Sequence, residues 1–322
     1  MNTRDVLTPE ALEMLELAAR LGSFAAAARE LGVVPSALTY RVRQIEDALD
    51  VLLFDRRSRR AVPTPAGLEL LREGRRVLGA LENLASRVKR VATGWEAQLT
   101  IAADGVVSPR VLLELCEAFY EHAAQHSAPT ALKLKSETLS GTWEALVSGS
   151  ADLAIGGVAV FGGQQDDGAI HSFPLGEVPF VYAVAPHHPL ARAAEPISEA
   201  ELVKHRAVAV ADSAQRLTPV TVGLGDGQPV LTVPTLQHKL AAHLRGLGCG
   251  FLPEPMARPY LQTGRLVQKQ VERAGRSPHI CVGWRAAPQG PALGLALQWW
   301  LAQLKSPTTQ RALIEGHGAK LP

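Results

Sequence analysis

The stretch from Gly22 to Pro63 constrains this chain most. Two short helical runs are broken at a glycine and followed at once by four arginines in five residues. Ser23 is placed to cap the run Phe24–Leu31, which stops at Gly32. Pro35 then suits the first turn of a further helix. In that helix Leu38, Val42, Ile45 and Leu49 fall at i, i+4, i+7 and i+11, one stripe facing a core. An earlier helix is signalled by Thr8-Pro9, with Leu12, Leu15 and Ala19 at helical spacing. Short helices joined by a tight glycine turn make a helix-turn-helix pattern.

The face opposite the stripe carries Ser36, Tyr40 and Arg43, flanked by Ala37, Thr39 and Gln44. Small residues at the helix start permit close approach to a groove. Thr39 and Tyr40 can donate to phosphates or base edges, and Arg43 can contact a phosphate or read guanine. An ordinary solvated helix could carry the same residues. The segment that follows tilts the balance: Arg56, Arg57, Arg59 and Arg60 lie between two short β-like stretches, Leu52–Phe54 and Ala61–Pro63. This predicts a two-stranded wing whose arginines enter a minor groove or grip phosphates.

Residues 64–93 predict one long helix. Leu70, Gly74, Val77, Leu81, Leu84, Val88 and Val91 alternate spacings of four and three, a heptad seam interrupted only by Gly74. A dimer through Leu70, Val77, Leu81, Leu84, Val88 and Val91 would present two reading helices to successive grooves. The competing reading is one amphipathic helix packed on its own domain.

Beyond Gly94, a natural hinge, apolar strand-like runs alternate with helical ones: residues 99–103, 132–136 and 151–155, then 180–185, 207–210 and 249–252. The alternation predicts parallel sheet covered by helices, and two such sets predict two lobes with a cleft. Of the 322 residues, 47% are hydrophobic and 20% charged, which excludes a disordered chain. The net charge is only +2, but residues 1–94 hold 15 Lys+Arg against 12 Asp+Glu, so any nucleic-acid footprint belongs there. Cys116, Cys249 and Cys281 are scattered and odd in number, which fits a reducing cytoplasm rather than a disulfide framework or zinc finger. No apolar leader and no long apolar run point to a membrane.

The segment from Gly22 to Leu71 resembles the LysR-type transcriptional regulators. Gly22-Ser23-Phe24, Ala27-Ala28 with Leu31, Ile45-Glu46, Leu53-Phe54 with Arg56, and Thr64-Pro65-Ala66-Gly67 carry the likeness. Farther on, residues 148–155, His188-Pro189-Leu190, residues 246–253 and Gly264-Arg265-Leu266 follow in the expected order. The resemblance implies a winged helix-turn-helix over 1–64 and a dimerising linker helix over 65–94. It implies a two-lobed α/β effector domain over 95–305, resembling the periplasmic binding proteins, with a C-terminal tail over 306–322. Lobe I is expected at about 95–165 and 268–305, and lobe II at about 166–267. The implied function is sequence-specific promoter binding and bending, controlled by a small molecule between the lobes, in a dimer or tetramer. RNA polymerase stands as a further candidate partner; no cofactor, metal or catalysis is implied. Ser23, Pro35, Ser36, Ala37, Thr39, Tyr40, Arg43 and the wing arginines form the expected DNA-facing set. Two departures from the family's pattern concern Val34, which cannot cap where many members have serine, and Tyr40, which replaces an arginine fork.

A cleft of this kind is built at the C-terminal ends of strands. That selects Asp104, Gly105 and Val106, then Thr138, Ser140 and Gly141, and on the second lobe Asp212, Ser213 and Thr235. Opposed Asp104 and Asp212 either receive a cationic group or cap turns. Gly246-Leu247-Gly248-Cys249-Gly250 mimics a dinucleotide fingerprint but precedes its strand, so it cannot cradle phosphate. His122 and His126 share a helix face without the metal-binding glutamate pattern, and His187-His188 reads as a turn. The alternative reading of the whole chain is a small-molecule-binding or enzymatic α/β domain with an incidental helical head.

Overall fold

The computed structural model describes residues 3–55, 60–126, 128, 130–158, 170–215, 217, 220, 222–285 and 293–318. It divides into two compact units, Met1–Ala85 and Ser86–Pro322.

The first unit holds α1 (Thr3–Val6), α2 (Pro9–Leu21), α3 (Phe24–Glu30), α4 (Pro35–Leu49) and the start of α5 (Pro65–Thr93). Thr8 caps α2 by accepting from the Ala11 amide, and Gly22 ends it at φ +61°. Ser23 caps α3 through the Ala26 amide. Leu15, Ala18, Ala27, Ala28, Leu38 and Ile45 form the core with Leu53 and Phe54. The three alanines let helices approach closely. Each large aliphatic side chain buried here contributes about 2 kcal/mol. Beyond α4 the chain folds back on itself through an antiparallel bridge between Phe54 and Pro63. The Asp55 amide donates to the Val62 carbonyl at 2.8 Å and the Thr64 amide to that of Leu53 at 2.9 Å. These are the two arms of the predicted wing. Arg56, Arg57 and Arg59 lie outside the described residues.

The second unit continues with β1 (Gln98–Asp104), α6 (Pro109–Gln125), β2 (Ala131–Glu137), α7 (Ser140–Val147), β3 (Leu153–Val158), β4 (Ile170–Glu177) and β5 (Phe180–Val184). There follow α8 (Glu199–Leu202), β6 (Ala207–Val210), β7 (Val230–Val233), α9 (Leu236–Leu244), β8 (Gly250–Pro253), α10 (Glu254–Gln262) and β9 (Val267–Lys269). Then come β10 (His279–Arg285), α11 (Leu295–Leu304) and α12 (Pro307–Glu315). One lobe is a five-stranded sheet in the order β2-β1-β3-β10-β4, and the other combines β8-β5-β9 with the pair β6-β7. The main core runs from the first sheet to α6 and α11, centred on Leu99, Ile101, Leu153, Ile155, Phe119 and Trp300.

Three expectations change. The sheets are mixed: β1 is parallel to β2 and β3, but β10 runs antiparallel to β3 and β4, and β5 antiparallel to β8 and β9. Strands that enter or leave a lobe without a covering helix pair antiparallel. The passage between lobes also falls later than residue 166, because β4 is an edge strand of the first sheet. The return falls after β9, which pairs with β5. Finally, residues 307–315 are not a tail: α12 buries Leu313 and Ile314 in the main core.

Candidate nucleic-acid interface and ligand cleft

Pro35, Ser36, Ala37, Thr39, Tyr40 and Arg43 line one shallow concavity on α4. The apolar stripe fixes this orientation: Leu38, Val42 and Ile45 are buried, so the residues between them face out. The Arg43 guanidinium makes no hydrogen bond or ion pair with any described residue, and Tyr40 is exposed. The Thr39 hydroxyl donates to the Pro35 carbonyl at 2.9 Å, which leaves its oxygen free to accept. Ser23 does not join the patch; its oxygen serves as the cap of α3. Val34 makes no side-chain cap, so the first amides of α4 remain without a side-chain acceptor.

Glu46 is a functional support that periodicity alone did not single out. It is buried, and its Oε1 accepts from the amides of Leu53 at 2.8 Å and Phe54 at 3.3 Å. That pair of bonds ties the wing's first arm to the reading helix. It explains why Ile45-Glu46 and Leu53-Phe54 appear together in the signature. Gly67 has an equally local reason: a Cβ there would stand 2.0 Å from the Leu53 carbonyl oxygen. The first turn of α5 is pressed against the same arm, and the Thr64 hydroxyl caps it through the Gly67 amide.

Along α5 the heptad positions divide. Leu70 packs on the core of the first unit, and a Cβ on Gly74 would touch Leu12 at 3.0 Å. That end of the seam is used within the chain. Val77, Leu81, Leu84 and Val88 are 42–64% exposed and keep the four–three spacing. The Val91 side chain lies outside the described residues.

Between the lobes lies a cavity of about 640 Å³. Of the sequence-predicted ligand residues, Asp104, Val106, Thr138 and Ser140 line it. Asp212, Ser213 and Gly141 do not; they join the lobes beside it. The Ser213 hydroxyl oxygen accepts from the Thr138 amide at 2.9 Å, and Asp212 accepts from the Gly141 amide at 3.2 Å. A Cβ on Gly141 would fall 1.8 Å from Ser213 Oγ, so the close approach demands glycine. Gly105 lies against Leu236, and Thr235 caps α9 through the His238 amide.

Both opposed carboxylates are occupied by backbone. Asp104 accepts from the amides of Val106 and Leu139, each at 2.9 Å. Burial nevertheless raises its carboxyl to about 6, against the pull of those amides. Asp212 also accepts from the amides of Ala214 and Val220. Burial pushes its carboxyl up, but these bonds outweigh it and hold the group below the usual carboxylate range.

Residue spacing did not expose the cavity's cationic side. Lys239, Arg273 and Arg276 line it, with Glu199. Arg273 is bound to Glu199 and donates to the Gly223 carbonyl at 2.6 Å. Lys239 follows Leu236 by three residues and precedes Leu240 and His243, all buried on one face of α9. A lysine inside an apolar helical stripe was the available signal. The remaining walls are largely apolar, with Phe180, Val210 and Phe251 among them. His122 and His126, by contrast, stack between Trp95 and Trp299 and serve packing. No helix among the described residues is long and apolar enough to cross a membrane.

A unit with an outward reading helix and wing, joined by one helix to a two-lobed domain enclosing a ligand-sized cavity, defines a ligand-responsive DNA-binding regulator. Two family models match: "Bacterial regulatory helix-turn-helix protein, lysR family" over residues 9–68 and "LysR substrate binding domain" over residues 92–306. Among curated relatives, the probable HTH-type transcriptional regulator YhaJ of Escherichia coli K12 is 39% identical over 298 residues, covering 92% of this chain and 96% of that protein. The uncharacterized HTH-type transcriptional regulator YeeY of the same organism is 36% identical over 291 residues, covering 90% and 91%. The crystal structure of CbnR, a LysR family transcriptional regulator, shares the fold at a TM-score of 0.58 and 18% identity, covering 93% of this chain and all of that one. The chain belongs to the LysR-type family of DNA-binding transcriptional regulators and carries that family's effector-binding domain.

Proposed function

We propose that the α4 concavity reads promoter DNA in a major groove, with Ser36, Ala37, Tyr40 and Arg43 at base edges and phosphates and the wing arginines, Arg60 among them, on the flanking backbone. The observation that carries this is the unpaired Arg43 beside exposed Tyr40 on a face the helix stripe turns outward. The exposed run Val77–Val88 pairs with a second copy, which sets two reading helices at half-site spacing. Tetramers, bending of the promoter and contact with RNA polymerase belong to the same reading, as does a cytoplasmic location. The protein acts by binding rather than by catalysis. A small molecule between the lobes changes DNA affinity by binding two quaternary states unequally.

A gel shift on the DNA upstream of the protein's own gene tests this, at two salt concentrations and against random competitor. The expected result is a discrete complex that survives competitor. Binding that competitor erases and salt abolishes would overturn the sequence-specific assignment.

A further inference from the structure

Lys239 lines the cavity between the lobes and is only 8% exposed. Among the described residues it has no hydrogen-bond acceptor and no acidic partner. The ionisable groups that feel its charge are His243, one turn along the same helix, and Cys249. Neither offers a counter-charge: burial, reinforced by Lys239, holds the imidazole down at about 3, and burial pushes the thiol up. Burial also brings the ammonium down to about 8, as expected of a cation without a counter-ion. His243 donates from Nδ1 to the Ala183 carbonyl at 3.0 Å, and its Nε2 is buried without a partner. Nearby anions are otherwise committed: Glu199 to Arg273, and Asp104 to the amides of Val106 and Leu139.

An unpaired buried ammonium is destabilising in the ligand-free protein. It is retained at low cost if a ligand supplies the missing charge. The Arg276 guanidinium, at the same cavity and without a hydrogen-bond or ion-pair partner among the described residues, adds to the positive potential. The apolar walls argue against a phosphate or a polyanion, which would need several donors. We propose that Lys239 is the anchor for the negatively charged group of the effector, and that the effector is an amphipathic monoanion: one carboxylate on an apolar, ring-sized or branched body lying against Phe180, Val210 and Phe251. This rests on the reading that the effector binds between the lobes.

The test is a thermal-shift and calorimetric comparison on the full chain. Its probes are 3-phenylpropionate and indole-3-acetate, their amides 3-phenylpropionamide and indole-3-acetamide, and the amine 3-phenylpropylamine. The acids should raise the melting temperature of the wild type and bind at least about tenfold more tightly than the amides, the share expected of one charge-assisted bond. Lys239→Met, which keeps the stem and removes the charge, should erase that preference. The acid-against-amide comparison needs only the wild type, so it decides even if the variant does not fold. Amides or amine binding as well as the acids would overturn the anchor while the cleft reading stands. Acids binding Lys239→Met as tightly as the wild type would do the same. Binding by none of the probes would remove both the anchor and its chemical class, whereas the DNA test above would be untouched.

Discussion

The reading helix α4 and the cleft helix α9 use the same stripe of apolar residues to opposite ends. In α4 the stripe Leu38, Val42, Ile45 buries itself and turns Tyr40 and Arg43 out, so the chemistry lies on the face opposite the core. In α9 the polar residues Lys239 and His243 lie within the buried face, beside Leu236 and Leu240. An exposed cation is cheap to keep and waits for a large partner. A buried one is costly and is tuned by whatever small partner can reach it. A stripe therefore reveals where a functional face is only when the polar residues lie off it.

The largest expected effect comes from breaking the outward-facing logic on α5. Leu81→Asp leaves a single chain nearly as stable, because the position is exposed. In a paired seam it buries unmatched carboxylates at roughly 3–5 kcal/mol, more than about a hundredfold in dimer affinity. Light scattering should show the mass falling to that of one chain. An unchanged mass would mean that Val77–Val88 is not the interface. A smaller loss is expected at α4 itself. Arg43→Ala should weaken operator binding by about 1–3 kcal/mol if the guanidinium reads a base, with relaxed preference at one position. A phosphate contact would instead lower affinity evenly across sequences and reduce the salt slope by about 1. A titration that moves on neither count removes Arg43 from the interface.

On the α9 side the comparison sharpens through pH. His243 is held at about 3, down from 6.5, first by burial and then by Lys239, with His188 adding slightly. Between pH 6.5 and 3 the unfolded chain takes a proton at this ring and the folded chain does not. Its contribution to stability is therefore whole above 6.5 and is lost as pH falls, at about 1.4 kcal/mol per pH unit. Asp104 has the opposite sign. Its carboxyl is raised to about 6 from 3.8, so the folded chain takes the proton first and stability rises as pH falls through that window. In the wild type the two slopes offset between about pH 6 and 4. His243→Leu should remove the falling term alone, so its stability relative to wild type improves on acidification by about 1 kcal/mol per pH unit. Urea melts at pH 7, 6 and 5 measure this, and a constant difference across them would show that the His243 ring takes its proton as readily in the fold as in the unfolded chain.

The outward face of α4, the wing's arms and the exposed positions along α5 were legible because each depends on residues within about a dozen positions: Gly22, Gly32 and Pro35 punctuate, and period 3.6 does the rest. Even there, Leu70 and Gly74 fit a dimer seam by spacing, yet Leu70 packs on the core of the first unit and Gly74 lies against Leu12, tertiary contacts that spacing cannot show. The cleft was half legible. Strand-end loops led to Asp104, Val106, Thr138 and Ser140, but the same rule also selected Asp212 and Ser213, which join the lobes instead. Arg273 meets Glu199 across 74 residues, a distance over which periodicity carries no information. Strands β4 and β10 were missed because their outcome, antiparallel pairing between chain segments leaving and re-entering a lobe, is decided by topology rather than by their own residues.

The smallest effect is expected at the one place where α4 breaks a local rule. Val34 occupies the cap position at φ −73° and ψ 141°, a backbone that serine adopts unchanged. It is 64% exposed, so little packing is lost on replacement. Val34→Ser would supply an acceptor for the Ser36 or Ala37 amide and should stabilise the first unit by about 1 kcal/mol. A thermal melt checks that gain, and its absence would mean that Pro35 already relieves the helix start. The operator titration then tells why valine stands there. If affinity rises with stability, the position was merely uncapped and its hydroxyl can also meet a phosphate. If stability rises while affinity falls, the exposed valine makes an apolar contact with the groove, such as a thymine methyl, that is worth more than the cap. The second outcome would extend the contrast with α9 by one residue: on the reading helix even a side chain that weakens the fold is kept facing outward for its partner.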